Sequence, residues 1–508
     1  PSSRLTRTRA HYLLAIVAGA VLPLAFAPFE LFFIAPLSYA ALLYVWTDAA
    51  PRRAVGLTFA WGSASFGFGT YWTFIAVRII GGAPVAIGLL LMIGLTLVLA
   101  AFVAAAAWVA ARWFRTRGAA AWLVSLPGEF VLAEWVRGWL FTGFGWLAAG
   151  YSQTDTWLIG YAPLGGILAI SLAVLVTSGA LLTLILGTMR ERAAAVVVAL
   201  AVWIGGFAAR GVEFTQAKDS AVDVALAQGN IAQETKYLAE QLAPMMALYA
   251  ELTRQGAGAD LIIWPEAAMP TYLEYIEPYA EAIRRAAAEK GSTVLLGVLQ
   301  PAPHAKTIED FQNVLVALTE QRQVYVKRHL VPFGEFYPVP GFIREWMRLM
   351  NLPTGDATPG VADQPPLVVG DEKLAITICY EDVFGAEQLK YLAEATLLVN
   401  VSNDAWFGDS IAPHQHLQIA RVRAAEAGRY LLRATNTGIT AVIDAHGRIV
   451  DELPQFEAGL LKATVRGYTG ATPYARVGNW LVVLVCAGAL VVVFIAARRK
   501  PPSDQLTG

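Results

Sequence analysis

The sequence predicts two fold classes in one chain: a bundle of about eight membrane-spanning α-helices and a separate α/β domain. Of the 508 residues, 56% are hydrophobic and only 15% are charged, and the mean hydropathy is +0.50. This composition is too apolar for one soluble domain and is typical of an integral membrane protein. The apolar residues are unevenly distributed, however, because residues 216–470 carry the charges, turns and short β-type runs of a soluble domain.

Eight apolar blocks are each near the ~20 residues that a helix needs to cross a bilayer. They cover residues 11–28, 31–48, 54–77, 84–111, 119–140, 162–187, 193–209 and 479–497. The sequence therefore predicts a transmembrane domain of about seven helices over residues 1–215 and a soluble domain over residues 216–470. A last transmembrane helix and a cytoplasmic tail are predicted over residues 471–508.

Basic residues lie mainly on one side of these blocks. Thirteen are near block ends on that side: Arg4, Arg7, Arg9, Arg52, Arg53, Arg112, Arg115, Arg117, Arg190, Arg192, Arg498, Arg499 and Lys500. The other side has only Arg78, Arg137 and Arg210. Because basic loops stay in the cytoplasm, both termini are expected there and the soluble domain is expected outside. The net charge of −1 argues against a nucleic-acid partner, which would need a basic surface.

Within residues 216–470, β-type runs alternate with helical patterns, which favours an α/β domain with layered sheets. Candidate strands are 221–228, 260–264, 293–299, 313–319, 323–328, 374–379, 396–401 and 439–445. Helical patterns cover 239–255, 275–290, 385–394 and 414–429. Turn residues predict hairpins at "GDEK" (370–373) and "DAHG" (444–447).

Three candidate strands end beside residues that can carry chemistry: Glu266, Lys327 and Cys379. Catalytic groups of α/β proteins commonly gather at strand ends. The chain has one other cysteine, Cys486, in the last apolar block, and no Cys-x-x-Cys pair that could hold a metal or act in redox chemistry. An unpaired cysteine outside the cytoplasm therefore needs a functional explanation.

These three side chains fit covalent acyl transfer. Cys379 would attack an ester or amide carbonyl, Glu266 would take the thiol proton, and Lys327 would stabilise the oxyanion together with the backbone N–H after Cys379. Acids beside the thiol disfavour a permanent thiolate, so the proton is expected to leave only when substrate is bound. Each residue alone has an ordinary structural explanation, but the combination favours catalysis.

The order and setting of these residues resemble the nitrilase (carbon–nitrogen hydrolase) superfamily. The resemblance is carried by "WPE" (264–266), "VKRHLVPFGEF" (326–336), "CYED" (379–382), "NVSNDAWF" (400–407) and "RATNTG" (433–438). With apolar blocks on both sides of the domain, the whole chain is similar to the bacterial apolipoprotein N-acyltransferase family. The segment "EWVRGWLFTGFGW" (134–146) resembles that family's membrane-domain motif, in which proline is expected where Gly145 stands.

The resemblance implies an α-β-β-α sandwich in the periplasm, held on the bacterial inner membrane, and a ping-pong reaction without cofactor or metal. Cys379 would take a fatty acyl chain from a phospholipid, typically the sn-1 chain of phosphatidylethanolamine, and release a lysophospholipid. The thioester would then pass the chain to the α-amine of the diacylglyceryl-cysteine at an apolipoprotein's N-terminus.

The resemblance also assigns supporting residues. Glu335 would orient Lys327 or the incoming amine. Tyr380 and Glu381 would lie beside the nucleophile. Tyr237 falls at the family's aromatic position near the pocket, where tryptophan is more usual.

The segment 336–353 suits a lipid substrate because it places large apolar residues around a short predicted helix. These are Phe342, Ile343, Trp346, Met347, Leu349 and Met350. Beside Lys327, such a segment is expected to be a lid that dips into the membrane interface, and packing on the domain's own core is the alternative. A monomer is expected, since the chain's own helices can enclose a lipid groove.

Some polar residues have weaker signals. His414 and His416 have no obvious third ligand, so a pair at the start of a helix near the site is expected rather than a metal site. Glu129, Glu134 and Arg137 lie within the fifth apolar block, where charge is costly. They form either a polar path for a headgroup or an intramembrane ion pair.

Two other functions fit parts of the sequence. A membrane-tethered amidase or nitrilase would hydrolyse a carbon–nitrogen bond, with water in place of the amine. A transporter or lipid-binding receptor with a degenerate domain would not depend on Cys379, and the intact set of Glu266, Lys327 and Cys379 disfavours it.

Overall fold

The structure is a computed structural model that describes residues 2–47, 49–80, 82–113, 118–303, 305, 310–337, 340, 342 and 357–499. These residues divide into two compact units. One holds the described residues up to Phe74, those of Val85–Glu213 and those from Val477 onwards. The other holds those of Ile75–Pro84 and Phe214–Arg476.

The first unit is helical. In the described residues before Phe214, the α-helices are α1 (Ser2–Val21), α2 (Ile34–Trp46), α3 (Pro51–Gly69), α4 (Trp72–Ile80), α5 (Val85–Trp113), α6 (Leu126–Arg137), α7 (Ala162–Leu186) and α8 (Met189–Ala209). A further helix, Trp480–Arg499, lies near the C-terminus. Thr188 begins α8 with a capping box, because its hydroxyl accepts the Glu191 N–H at 3.4 Å and its own N–H donates to the Glu191 carboxylate at 2.8 Å.

Several of these helices have membrane character. In the described part of the chain, four segments are long and apolar enough to cross a bilayer: Arg7–Ala25, Val85–Trp113, Trp157–Leu186 and Met189–Ala209. Two shorter apolar helices, Ile34–Trp46 and Trp480–Ala496, coincide with two more predicted blocks. The predicted block 54–77 overlaps α3 and α4, and the predicted block 119–140 contains α6. The helical, apolar nature of this unit is confirmed, and the total of about eight spans stays a prediction.

Charged side chains are buried among these helices. Glu134 Oε1 accepts the Ala149 N–H at 2.7 Å, and the Arg137 guanidinium lies 5.1 Å from the centre of the Phe66 ring. Glu134 and Arg137 line the same cavity, and Glu129 is buried on the same helix. A headgroup path through these residues stays a prediction.

The second unit is built on two sheets. Its strands, among the described residues, are β1 (Thr215–Gln228), β2 (Leu261–Ile263), β3 (Met269–Tyr272), β4 (Thr293–Pro301), β5 (Phe311–Ala317), β6 (Gln323–Val326), β7 (Leu367–Val369), β8 (Glu372–Ile378), β9 (Leu397–Ser402), β10 (Leu431–Thr435), β11 (Thr440–Ile443), β12 (Ile449–Leu453) and β13 (Gly459–Gly470). The first sheet has the order β13-β1-β2-β4-β5-β6, with β3 also paired to β4, and the second has the order β12-β11-β10-β9-β8-β7. The central strands are parallel (β1, β2 and β4; β8, β9 and β10), and antiparallel strands flank them.

Helices connect and cover these strands. They are α9 (Gln233–Lys236), α10 (Ala239–Gln255), α11 (Glu277–Ala288), α12 (Gly385–Leu392), α13 (Ala412–Ala427) and α14 (Pro473–Val477). Successive strand residues point to opposite faces. In β1, Leu226 lies in the core between the sheets, whereas Ala225 packs against the layer of α10 and α11. In β9, Val399 lies in the same inner core, whereas Leu398 packs against α12 and α13. The layers are therefore helix, sheet, sheet, helix.

Most predicted elements of this unit are confirmed. The helix predicted over 239–255 has the bounds of α10, and the other three helical patterns match α11, α12 and α13 to within two residues at each end. Each candidate strand overlaps an observed strand, and both hairpins form, between β7 and β8 and between β11 and β12. Of the predicted lid residues, Phe342 is described and exposed. The others (Ile343, Trp346, Met347, Leu349 and Met350) lie outside the described residues, as does the tail from Lys500.

Candidate active site

The ends of three strands bring the predicted catalytic residues to one place. Glu266 comes shortly after β2, Lys327 directly follows β6, and Cys379 directly follows β8. Strands β2 and β6 belong to the first sheet and β8 to the second, so the site lies where the two facing sheets end. All three side chains are buried, with exposed fractions of 5%, 1% and 7%.

The Lys327 ammonium lies between two carboxylates. Its Nζ donates to Glu266 Oε1 at 3.0 Å and to Glu335 Oε1 at 2.8 Å. Burial alone lowers the pKa of a lysine, but the charges of Glu266 and Glu335 hold the pKa of Lys327 well above its ordinary value. Lys327 is therefore a cation at any physiological pH. The family resemblance implies that Glu335 orients either Lys327 or the incoming amine, and in the structure Glu335 contacts Lys327.

Cys379 occupies an unusual backbone position at the end of β8. Its φ of +54° lies in the left-handed region, which residues with a Cβ rarely adopt. Its thiol forms a hydrogen bond with Ser402, and its carbonyl oxygen lies 3.2 Å from His416 Nε2. Burial, and then the nearby Glu266 carboxylate, raise the pKa of the thiol well above its ordinary value. The resting sulfur is therefore neutral and needs a base before it can attack a carbonyl.

Hydrogen-bond donors also fix the Glu266 carboxylate. Besides Lys327, Asn313 Nδ2 donates to Oε1 at 2.8 Å, and the Asn403 backbone N–H donates to Oε2 at 2.9 Å. A carboxylate held by three donors keeps one orientation, as a general base must.

A glycine allows the turn that presents Glu266 to sit close to strand β4. A Cβ on Gly297 would lie only 2.0 Å from the Pro265 carbonyl oxygen. The residue after Glu266, Ala267, has a φ of +44°, so the turn is tight. Because Gly297 has no side chain, the Pro265 carbonyl can pack directly on β4, and this packing fixes the position of Glu266.

Glu381 connects two of the strand ends. Its Oε1 accepts the backbone N–H groups of Arg328 and His329 at 2.7 and 3.1 Å. Its Oε2 accepts the Ile378 N–H at 2.7 Å and the Tyr325 hydroxyl at 3.0 Å. The carboxylate thus ties the end of β6, which carries Lys327, to the end of β8, which carries Cys379.

The two predicted tyrosines have different surroundings. The Tyr380 ring is buried and packs edge-on against Phe384, with 5.0 Å between ring centres. Tyr237 is exposed. The charges of Glu266 and Lys327 act on Tyr237, so it lies near the site.

Three residues of the site were not predicted. Asn313 and the Asn403 N–H hold Glu266, and Lys236 is fully buried with its Nζ 3.3 Å from the Glu266 carbonyl oxygen. Burial lowers the pKa of Lys236 to about 8. A polar residue in an apolar strand, as Asn313 is in "NVLVALT", is a usable signal, whereas a backbone N–H has none in the sequence.

The two histidines are separated by the fold. His414 Nε2 lies 2.9 Å from Gln455 Nε2, whereas His416 lies against the Cys379 carbonyl. Among the described residues, no group of three or more His, Cys, Asp or Glu side chains could hold a metal ion. The side chains of the site supply a neutral thiol, a fixed carboxylate base and a permanent cation, which together suit acyl transfer.

The layered sandwich and the site at its strand ends are those of a carbon–nitrogen hydrolase domain, and the carbon–nitrogen hydrolase family model matches residues 223–474. A second model, the apolipoprotein N-acyltransferase N-terminal domain, matches residues 18–181. Proteins named apolipoprotein N-acyltransferase from Methylococcus capsulatus and Chromobacterium violaceum are each 40% identical to the chain, over 97% and 96% of its length and 97% and 94% of theirs. One from Vibrio parahaemolyticus is 35% identical over 96% of the chain and 97% of its own length. The chain belongs to the apolipoprotein N-acyltransferase family.

Proposed function

We propose that this acyltransferase moves a fatty acyl chain from a phospholipid, through a thioester on Cys379, to the α-amine of an apolipoprotein's diacylglyceryl-cysteine. The observation that carries the proposal is the pair of carboxylates around Lys327, with Glu266 and Glu335 at 3.0 and 2.8 Å from its Nζ, in the same buried site as a neutral thiol. The apolar helices support a lipid donor, since an enzyme acting on small soluble amides needs no membrane-spanning unit.

In the first half-reaction, Glu266 takes the Sγ proton of Cys379 as the sulfur attacks the ester carbonyl carbon of the phospholipid. The Lys327 ammonium and the Tyr380 backbone N–H stabilise the charge that develops on the carbonyl oxygen. The bond between the acyl carbon and the glycerol oxygen then breaks, and Glu266 gives its proton to that oxygen. A lysophospholipid leaves, and the acyl chain remains on sulfur.

In the second half-reaction, the neutral α-amine attacks the thioester carbonyl carbon. Glu266 takes a proton from the amine nitrogen, the same two donors stabilise the oxyanion, and the carbon–sulfur bond breaks. Glu266 returns the proton to sulfur, which leaves an amide and restores the Cys379 thiol. A sulfur with a raised pKa leaves poorly as a thiolate, so this proton transfer is needed.

Glu335 acts in this scheme by holding Lys327. Its Oε2 accepts the Val331 N–H at 2.8 Å while its Oε1 accepts from Lys327 Nζ, so the carboxylate is held at both oxygens. Tyr237, near the site and exposed, would contact the bound lipid or the incoming peptide.

The proposal includes a topology. About eight spans would place the domain of residues 216–470 in the periplasm and both termini in the cytoplasm of a bacterial inner membrane. The one-sided distribution of basic residues supports this orientation. The enzyme would act as a monomer, and the segment 336–353 would cover the acyl chain, each CH₂ of which contributes ~0.8 kcal/mol when kept from water.

The acyl-enzyme can be tested by intact-mass spectrometry of purified protein mixed with phosphatidylethanolamine. We expect the mass of one fatty acyl group, located on Cys379 by peptide mapping and removed by neutral hydroxylamine. Cys379→Ser and Glu266→Gln should lack the adduct. Cys486→Ser, which changes the chain's other cysteine, should keep it. An adduct on another residue, or none on the unmodified sequence, would refute the proposal.

The second half-reaction is tested by adding a diacylated lipopeptide with a free N-terminus. The acyl chain should move from Cys379 to the peptide, giving an N-acylated product. Quantitative release of free fatty acid, with the peptide unchanged, would instead identify a hydrolase and support the amidase alternative.

A further inference from the structure

His416 is completely buried beneath the nucleophile, on helix α13. Its Nε2 lies 3.2 Å from the carbonyl oxygen of Cys379, and its Nδ1 lies 3.0 Å from Asp404 Oδ1. A carbonyl oxygen can only accept a hydrogen bond, and so can an ionised carboxylate. A neutral imidazole has a single N–H and can satisfy only one of these contacts, whereas an imidazolium satisfies both.

Asp404 is an ionised partner. Its Oδ1 also accepts from the Ser402 hydroxyl at 2.8 Å, and its Oδ2 accepts from Arg433 Nη2 at 2.8 Å. The charge of Arg433, with these hydrogen bonds, outweighs burial and holds the pKa of Asp404 well below its ordinary range.

The buried charges around His416 also favour a cation at this position. Two buried carboxylates, Asp404 and Asp382, face the Arg433 guanidinium at 2.8 and 4.0 Å. The next guanidinium, that of Arg423, is paired with Glu426 at 2.8 Å. Burial raises the pKa of Asp382 and the charges of Arg433 and Arg423 oppose this shift, so a cation at His416, in contact with Asp404, further favours both carboxylates as anions.

A single peptide group lies between His416 and the proposed oxyanion site. The carbonyl of Cys379 and the N–H of Tyr380 belong to the same peptide bond. A cation that donates to the carbonyl polarises this bond and makes the N–H a stronger donor. The same contact holds the carbonyl of a residue whose φ of +54° needs support from its surroundings.

We propose that His416 is an imidazolium that acts as a positioning residue, by fixing the Cys379 carbonyl and strengthening the Tyr380 N–H as an oxyanion donor. This inference rests on the proposed function, because it assigns a task to the peptide bond next to the nucleophile. Asp404 is part of the same device. It holds His416 at Oδ1, and the same oxygen accepts from the Ser402 hydroxyl.

A kinetic test uses His416→Gln, which retains a neutral donor near the Cys379 carbonyl but removes the charge. Acylation of Cys379 by phosphatidylethanolamine in a single turnover should slow about 10- to 100-fold. The lipid concentration for half-maximal rate should stay the same, since His416 does not face the lipid. The matched control is His414→Gln, two residues earlier on the same helix and in contact with Gln455, which should change the rate less than about twofold.

A spectroscopic test needs no enzymatic activity. In protein labelled with ¹⁵N-histidine, His416 should show both ring nitrogens protonated at neutral pH, with the signal assigned against His414→Gln and His416→Gln where these fold. A neutral tautomer for His416 would overturn the proposal, and so would an unchanged acylation rate in folded His416→Gln. Failure of the unmodified protein to form any Cys379 adduct would instead refute the proposed function, and the labelled spectrum would still decide the charge of His416.

Discussion

Glu381 provides the sharpest test of how the fold assembles the site. Its carboxylate accepts four hydrogen bonds, from the backbone N–H groups of Arg328, His329 and Ile378 and from the Tyr325 hydroxyl. Glu381→Gln keeps the size of the side chain but replaces one oxygen by an NH₂ group, which cannot accept. In the better orientation, the Tyr325 hydroxyl turns to accept from this NH₂ group, and the Ile378 N–H loses its partner.

The cost of this change follows from the contacts. An unpaired buried donor costs about 1–3 kcal/mol, and the hydrogen bonds from Arg328 and His329 weaken by about 0.5 kcal/mol each when the acceptor loses its charge. The free energy of unfolding should therefore fall by about 2–4 kcal/mol. For a domain of this size, the unfolding midpoint should fall by about 4–16 °C.

The two cysteines provide the assay, because both are buried in the folded chain. In a Cys486→Ser background, a thiol-reactive fluorogenic dye reports only the exposure of Cys379 on heating. The matched control is Glu387→Gln, whose half-exposed carboxylate accepts from His329 Nδ1 at 2.8 Å and should contribute less than about 1 kcal/mol. If Glu381→Gln unfolds within a degree of its parent, or no earlier than Glu387→Gln, Glu381 does not tie the two strand ends together.

Three further predictions concern the surroundings of Glu266. Lys236→Met should raise the free energy of unfolding at pH 7 by about 2 kcal/mol. The pKa of Lys236 is about 8 in the folded chain and 10.5 for an ordinary lysine, so keeping this side chain charged costs about 3 kcal/mol, of which its hydrogen bond returns about 1 kcal/mol. The folded chain binds this proton less tightly than the unfolded chain, so the advantage of Lys236→Met in unfolding experiments should shrink as the pH rises from 8 towards 10.5. Gly297→Ala should slow Cys379 acylation about 100-fold, with an unchanged circular dichroism spectrum, because its Cβ displaces the Pro265 carbonyl that precedes Glu266. Glu266→Gln should abolish acylation yet speed alkylation of Cys379 by iodoacetamide, because loss of the neighbouring negative charge lowers the pKa of the thiol, and slower alkylation would contradict this electrostatic assignment.

Local patterns predict the elements of the catalytic unit well. The apolar period of residues 239–255 defines α10 to the residue, and the β-type runs 323–328 and 374–379 end within two residues of the ends of β6 and β8. Two of the strands that were not predicted differ in cause. Strand β13 pairs with β1 across more than 200 residues of chain, but Leu461, Ala463 and Val465 alternate with polar residues, so the local pattern of a half-buried strand is present there. Strand β10 carries Arg433, a charged residue that is buried only because Asp404 and Asn400 bind it.

The site is predictable only in part, because the groups that hold its side chains come from distant parts of the chain. Glu266, Lys327 and Cys379 can be found because each ends a recognisable strand. The groups that hold them cannot, because a backbone N–H such as that of Asn403 has no sequence signal. His416 shows the limit most clearly. It stands two residues from His414 in a pattern that suggests a pair, yet the helix directs one histidine to Gln455 and the other to the nucleophile.

The raised pKa of Cys379 is itself suited to an ester donor. When sulfur attacks an ester, the tetrahedral intermediate can expel either the sulfur or the glycerol oxygen. A thiolate of low pKa leaves much more readily than an alkoxide, so the intermediate would return to the free cysteine. Burial and the Glu266 carboxylate raise the pKa of Cys379, which makes the sulfur a poorer leaving group and brings it closer to the glycerol oxygen in leaving ability. The proton that is now on Glu266 can be given to the glycerol oxygen, which makes that oxygen the better leaving group. In the proposed mechanism, a single carboxylate therefore disfavours the thiolate of the resting enzyme and, once protonated, drives the intermediate forward to the thioester.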